Sequence, residues 1–246
     1  QGCTVMGVCG KTPDVAAYQD LLIHNLKGIS NTINAIKEHD VKFEEEDKVN
    51  KFYLEATFST LTNVNFDLES IKEYLNKSNS VQEELQQKYQ DILGKNTSDF
   101  ELVESKGKGV SELIAKAQEI GIEARKSTTD PDILSLQELI LYGIKGTLAY
   151  ANHSAEASLS IPNVDEIHKI MGQLTKKEQS VEELFGLALK VGEINFNVMG
   201  GLEKAHIDRY GTPEPTQVLV TAKKGKAILV SGHDLVELEN VLKATE

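Results

Sequence analysis

The sequence predicts a mainly α-helical protein with two duplicated three-helix bundles, followed by the first strand-helix unit of a Rossmann-like α/β domain. Three observations support this prediction. Apolar residues recur at helical spacing through most of the chain, one ten-residue segment occurs twice with small changes, and the pattern changes after Pro213 and Pro215. Helical spacing gathers apolar side chains on one face, which must pack against another element.

The first bundle is predicted from three amphipathic helices that follow one another closely. Thr12 is a favourable N-cap and Pro13 suits the first helical position, so the first helix begins there and continues to about residue 39. Two more helical patterns cover residues 46–61 and 67–93. The apolar face of the first helix consists of Leu21, Leu22, Leu26, Ile29, Ile33 and Ile36.

The second bundle is predicted from a repeat. The segment QDLLIHNLKG, which begins at Gln19, is matched by QELILYGIKG, which begins at Gln137. Farther along, VNFDLESI from Val64 is echoed by INFNVMGGL from Ile194. Two matches in the same order indicate a duplicated unit.

The second copy is expected to begin as the first one does, with Asp130 as N-cap and Pro131 in the first helical position. Its further helices are expected at about residues 165–175 and 181–207. Residues 97–127 connect the copies and carry one amphipathic helix over residues 110–120.

The last segment is predicted to begin an α/β domain. AILVS, at residues 227–231, is a continuous apolar run typical of a strand buried in a parallel sheet, and Asp234 is placed to cap the helix that follows. A single strand and helix cannot bury a core, so we expect the chain to be the front part of a longer protein or to depend on a partner chain. The predicted divisions are a cysteine loop at 1–11, a first bundle at 12–96, a connector and second bundle at 97–212, and an incomplete α/β domain at 213–246.

Charge and composition narrow the class of function. Of 246 residues, 40% are hydrophobic, and 38 acidic residues outnumber 26 basic ones to give a net charge of −12. No basic stripe is present that could follow a phosphate backbone, which argues against a nucleic-acid partner. No apolar run is long enough to span a membrane, and no signal peptide is evident, so we expect a soluble cytoplasmic protein without a membrane partner.

The two cysteines of the chain are the first candidates for chemistry. Cys3 and Cys9 lie in a glycine-containing run at the start of the sequence. Glycines permit the tight turns of an iron–sulfur loop, and the helix that begins after Thr12 brings a positive dipole end close to Cys9. Two cysteines are only half of such a site. Free thiols and a short-loop disulfide remain alternatives.

His233 is the second candidate. It follows the predicted strand, so its imidazole is expected at the carboxyl end of the sheet, where α/β domains bind ligands. The alternative is a histidine that serves only the strand-to-helix turn. Surface or core packing is the better interpretation for the other five, which are His24, His39, His153, His168 and His206.

Taken together, these segments resemble the hybrid cluster protein family, also called the prismane or hydroxylamine reductase family. The resemblance covers essentially the whole chain. It rests on GCTVMGVCGKTP at residues 2–13, TLTNVNFD at 60–67, ELILYGIKGTLAYANH at 138–153, YGTPEPTQV at 210–218 and ILVSGHDL at 228–235, beside the QDLLIHNLKG helix.

The resemblance implies two clusters. Family members hold a [4Fe-4S] cubane cluster with four cysteines spaced C-x2-C…C-x5-C, and Cys3 and Cys9 match the last two. The histidine of ILVSGHDL, which corresponds to His233, ligates an iron of a hybrid [4Fe-2O-2S] cluster. The remaining ligands would lie upstream of Cys3 and beyond Glu246, so the chain alone is expected to be inactive.

The resemblance also implies a reaction. The family reduces hydroxylamine to ammonia, and reduction of nitric oxide to nitrous oxide is attributed to it as well. A small-molecule substrate and an electron-donor protein are therefore the expected partners. The rival interpretation is a non-catalytic tandem helical-bundle module that binds another protein, which duplication and acidity fit equally well. Iron and sulfide content would separate the two.

Overall fold

A computed structural model describes residues 5–41, 43–93, 100–158 and 164–246. Within these ranges the chain forms nine helices and no strand. The helices are α1 (Pro13–Glu38), α2 (Glu46–Ser59), α3 (Leu68–Leu93), α4 (Val110–Ile120), α5 (Ile122–Lys126), α6 (Pro131–Ser158), α7 (Asp165–Gln173), α8 (Val181–Tyr210) and α9 (Leu235–Thr245). The mainly helical prediction is confirmed. None of the helices in these ranges has the length and apolar character needed to cross a membrane.

The predicted helix starts are confirmed by their caps. The Thr12 hydroxyl accepts a hydrogen bond from the Val15 N–H at 3.4 Å. Asp130 accepts from the N–H groups of Asp132 and Ile133 at 2.9 and 3.3 Å. These side chains satisfy backbone donors that the first helical turn leaves without a partner. The short helix α5, separated from α4 only by Gly121, was not predicted.

The helices of the two predicted copies interlock. Within each copy the first and third helices pack along each other, α1 with α3 and α6 with α8. Each middle helix instead packs mainly against the first helix of the other copy, α2 on α6 and α7 on α1. The division into two bundles therefore stays a prediction.

His168 joins three helices at the centre of this arrangement. Its Nδ1 lies 3.1 Å from the hydroxyl of Ser30 on α1, and its Nε2 lies 3.0 Å from Oδ1 of Asn50 on α2. Burial lowers the pKa of His168 to about 3, with Lys37 adding to the shift, so the ring is neutral near pH 7. The histidine packs in the core, as the sequence predicts.

The predicted strand is not formed. Residues 227–231 belong to no helix or strand, and Leu229 is 95% exposed, so this structure does not show the predicted buried strand. A strand needs neighbouring strands to satisfy its backbone and cover its side chains, and the described part of the chain supplies none. The helix after it does form as α9, and Asp234 caps it by accepting from the Glu237 N–H at 2.7 Å.

Candidate metal centre

Cys9 lies in a tight turn before α1. The Gly10 N–H donates to the Gly7 carbonyl at 2.9 Å, the Gly7 N–H donates to the Lys11 carbonyl at 2.8 Å, and Gly10 has a positive φ of 92°. This turn leaves the thiol of Cys9 free and exposed. Cys3 lies outside the described residues, so the approach of the two sulfurs to a common point stays a prediction.

Gln19, the first residue of the repeated segment, ties this turn to the helices. Lys11 is buried, and its Nζ donates to Oε1 of Gln19 at 2.7 Å. The amide nitrogen of Gln19 donates in turn to the carbonyls of Ser59 and Asn65 at 3.4 and 3.2 Å. The cysteine turn is therefore tied through Gln19 to the end of α2.

His233 lies beside a cavity of about 480 Å³ between α6, α8 and the segment that follows α2. His153 and His206 line the same cavity. The rings of His153 and His233 are 6.5 Å apart between centroids, and His233 itself is exposed. Gly232 has a positive φ of 133°, a conformation that glycine permits at this turn.

One group of side chains here has the composition of a metal site. A nitrogen of His153 and carboxylate oxygens of Glu156 and Asp234 all lie within 4.8 Å of one another. Nδ1 of His153 is buried and makes no hydrogen bond of acceptable geometry within the described residues, although Oδ2 of Asp234 is only 3.0 Å away. Imidazole nitrogen and carboxylate oxygen are common ligands of iron and zinc. The residues thus fit a metal close to His233.

The turn that carries His233 is fixed to the end of α8. Arg209 and the Tyr210 hydroxyl contact Oε2 of Glu239 on α9 at 2.9 and 3.0 Å. Together with Lys243, these donors lower the pKa of Glu239 to about 2, so the carboxylate stays charged. Arg209 also donates to the Ala157 carbonyl of α6 at 3.0 Å.

Sequence reasoning missed His153. The sequence indicates a packing residue at this position, whereas the structure places it between His233 and the ring of Phe58, with 5.2 Å between the centroids of the His153 and Phe58 rings. The sequence does contain a signal for this placement. Gly146 and Tyr150 precede His153 by seven and three residues, so the helical spacing puts all three on one face of α6. All three line the cavity.

The fold and this site define a helical protein with candidate metal-binding side chains in two places, the Cys9 thiol before α1 and the histidines and carboxylates beside α9. The sequence profile of the Prismane/CO dehydrogenase family matches residues 1–246, and the chain belongs to this family. The resemblance seen in the motifs is thereby confirmed.

Curated relatives agree with this assignment. The chain is 40% identical to the hydroxylamine reductase of Clostridium novyi, over 100% of this chain and 44% of that protein. It is 38% identical to the hydroxylamine reductase of Methanocella arvoryzae, over 100% of this chain and 45% of that protein. The chain thus spans less than half the length of these relatives.

Proposed function

We propose that the chain belongs to an iron–sulfur oxidoreductase that reduces hydroxylamine to ammonia. The reaction takes up two electrons and two protons, breaks the N–O bond and releases water. The proposal rests on the relatives named hydroxylamine reductase, whose identity of 38 to 40% extends over all of this chain. Because the chain covers less than half of each relative, the activity is assigned to the complete protein. Nitric oxide, reduced to nitrous oxide, is the second proposed substrate.

In the structure, the proposal is supported by His153 beside the exposed His233, because the buried Nδ1 of His153 makes no hydrogen bond within the described residues. In the proposed site, His233 offers an imidazole nitrogen to an iron of the hybrid [4Fe-2O-2S] cluster. Asp234 holds its Oδ2 against His153 while its other oxygen caps α9, so the pair is fixed next to the ligand. An imidazole and a carboxylate in this position are suited to hold and deliver the protons that the reaction consumes.

The thiols have a separate role in the proposal. Cys9 is free, exposed and set in a turn anchored through Lys11, which suits a ligand of the [4Fe-4S] cluster. Cys3 is proposed as its neighbour on the same cluster. When bound, the two clusters supply electron entry and an open iron position for the substrate. We also propose that the protein is cytoplasmic and that an electron-donor protein is its partner, with no nucleic-acid or membrane partner. Residues 227–231 are proposed to form a strand when further strands are present to pair with them.

The alternative is a helical module that binds another protein without catalysis. Exposed apolar side chains on α8 favour this interpretation, since Phe185, Leu189 and Phe196 are 57%, 62% and 78% exposed. Such a module would need no iron. The iron content of the protein therefore distinguishes the two functions.

The test uses the complete protein prepared without oxygen. We expect iron, acid-labile sulfide and a visible absorption spectrum, together with hydroxylamine reduction. His233→Ala should abolish reduction and spare the part of the spectrum that comes from the cubane cluster, while Cys9→Ser should lose that part. His39→Ala, at an exposed position after α1, is the control and should change neither. Near-normal reduction by the His233→Ala protein would falsify its role, and a wild-type protein without iron would favour the binding module.

A further inference from the structure

A second cavity, of about 360 Å³, lies between α1, α5, α6 and the turn after α7. It shares no lining residue with the cavity beside His233. Its lining carries four basic side chains against two carboxylates, an excess of positive charge in a chain whose net charge is −12. The basic residues are Lys27, Arg125, Lys176 and Lys177, and the acidic ones are Asp20 and Glu138.

Lys27 is a half-buried cation that lines this cavity. Within the described residues, no acceptor lies within hydrogen-bond or ion-pair distance of its Nζ. Burial, with a smaller effect from Arg125, lowers the pKa of Lys27 to about 8, so most of the population remains charged at neutral pH. Taking an ammonium partly out of water is unfavourable, and a nearby opposite charge offsets that cost.

Arg125 is fixed at the edge of the same cavity. Its NH1 donates to Oε1 of Glu138 at 2.6 Å, and its NH2 donates to Oε1 of Gln137 at 2.7 Å. Gln137 is held in turn by its bond to Gln179 at 2.7 Å. These bonds use two of the five N–H donors of the guanidinium and pair one oxygen of Glu138 with Arg125. Glu138 and Asp20 also act on Lys27, as charges that favour its ammonium form without a direct hydrogen bond.

The repeat supplies an internal reference for Lys27. Lys145 has the same position in the second copy, is buried, and also has a pKa lowered to about 8. Its Nζ donates to the Thr60 carbonyl at 3.4 Å and lies 5.6 Å from the centroid of the Tyr142 ring. Lys27 instead lines the cavity, and within the described residues it has neither a hydrogen bond nor a ring contact of this kind.

We propose that this cavity binds a small oxyanion, which accepts hydrogen bonds from Lys27 and Arg125 and offsets the excess positive charge of the lining. Phosphate and short carboxylates share the required chemistry, a compact anion with several acceptor oxygens. The proposal does not depend on iron–sulfur chemistry, since none of these residues belongs to the candidate metal centre.

The test is titration calorimetry of the 246-residue chain at constant ionic strength, with inorganic phosphate in one arm and acetate in the other. We expect saturable binding of at least one anion. Lys27→Met should weaken it about tenfold or more, the equivalent of one charge-assisted hydrogen bond. The control is Lys190→Met, which removes the same charge from an exposed pair with Glu193 on α8 and should change the affinity less than about twofold.

A second measurement keeps the proposal testable if the Lys27→Met chain does not fold. The pKa of the Lys27 amine, followed by NMR in the wild-type chain, should rise from about 8 when the anion saturates, because a bound anion favours the charged form. In a phosphate site inorganic phosphate should raise the pKa of Lys27, and in a carboxylate site acetate should raise it. Absence of binding in both arms, unchanged affinity in Lys27→Met, or a Lys27 pKa that the bound anion does not move would each overturn the proposal.

Discussion

The helices α1 and α6 carry the same ten-residue motif but lie in different surroundings. In α1, Leu21 is fully buried, whereas Leu139, at the same position of α6, is 60% exposed. The reason lies in the neighbours. α1 is covered by α3, α4 and α7, while α6 packs mainly against α2 and α8. Similar local sequence therefore specifies the helix, and the elements packed around it decide what each position does.

The largest expected difference concerns the two leucines. Leu21→Ala should lower the free energy of unfolding by about 3 kcal/mol, because it leaves a cavity in the core. Leu139→Ala, measured in the same urea titration, should lower it by no more than about 0.5 kcal/mol, as is usual at exposed positions. Equal losses at both positions would mean that α6 is covered in solution by something other than the described helices.

Both Lys27 and Lys145 should make the stability of the chain depend on pH. Both have pKa values lowered to about 8, so between pH 8 and their ordinary value of 10.5 the unfolded chain binds more protons than the folded one. Each lysine then makes stability rise with pH, by at most about 1.4 kcal/mol per pH unit. Lys27→Met and Lys145→Met should accordingly be more stable than the wild type at pH 7, with an advantage that shrinks toward pH 10.

The gain should be larger for Lys27→Met. Lys145→Met also removes the hydrogen bond to Thr60, which costs about 1 kcal/mol. Urea unfolding at several pH values, in buffers without oxyanions, measures both effects. If the free energy of unfolding of each variant differed from that of the wild type by the same amount at every pH in this range, the pKa of neither lysine would be lowered by folding.

The smallest expected effect concerns the two glycines that follow these lysines. A Cβ on Gly28 would overlap Cδ2 of Leu102 and lie 3.0 Å from Cδ1 of Phe100, whereas one on Gly146 would meet nothing within 4 Å. Gly146→Ala should therefore stabilise the chain by about 0.5 to 1 kcal/mol through helix propensity. Gly28→Ala should destabilise it by about 1 kcal/mol, since overpacking outweighs that gain. Thermal unfolding of both variants checks the sign, and stabilisation by both would show that the segment at residues 100–102 is free to move aside.

Local signals predicted most of the helices. Thr12 and Asp130 mark helix starts by side-chain caps that act within three residues, and α4 has the bounds that its apolar spacing indicates. The strand at residues 227–231 could not be judged in this way. Its apolar run needs partner strands that local sequence does not supply, and Leu229 is exposed for that reason.

The candidate site was predictable only in part. His233 is a candidate because it follows an apolar run and precedes a capped helix, both of which are local features. The approach of His153 depends on α6 and the start of α9 meeting across about eighty residues of chain, which no local pattern encodes. Cys9 stands out in the sequence as one of two cysteines in a glycine-containing run. The structure adds that the turn around it is tied to the helices through Gln19.

The packing of α7 on α1 has a consequence for synthesis on the ribosome. Asn34 of α1 donates to the His168 carbonyl of α7 at 2.9 Å, so this face of the first helix is completed by a segment made more than a hundred residues later. At about 5 to 20 residues per second, the nascent chain carries the open face of α1 for about ten seconds. During that interval the apolar surface around Ile33 and Ile36 is available to chaperones, and the N-terminal half cannot reach its final packing until α7 has emerged.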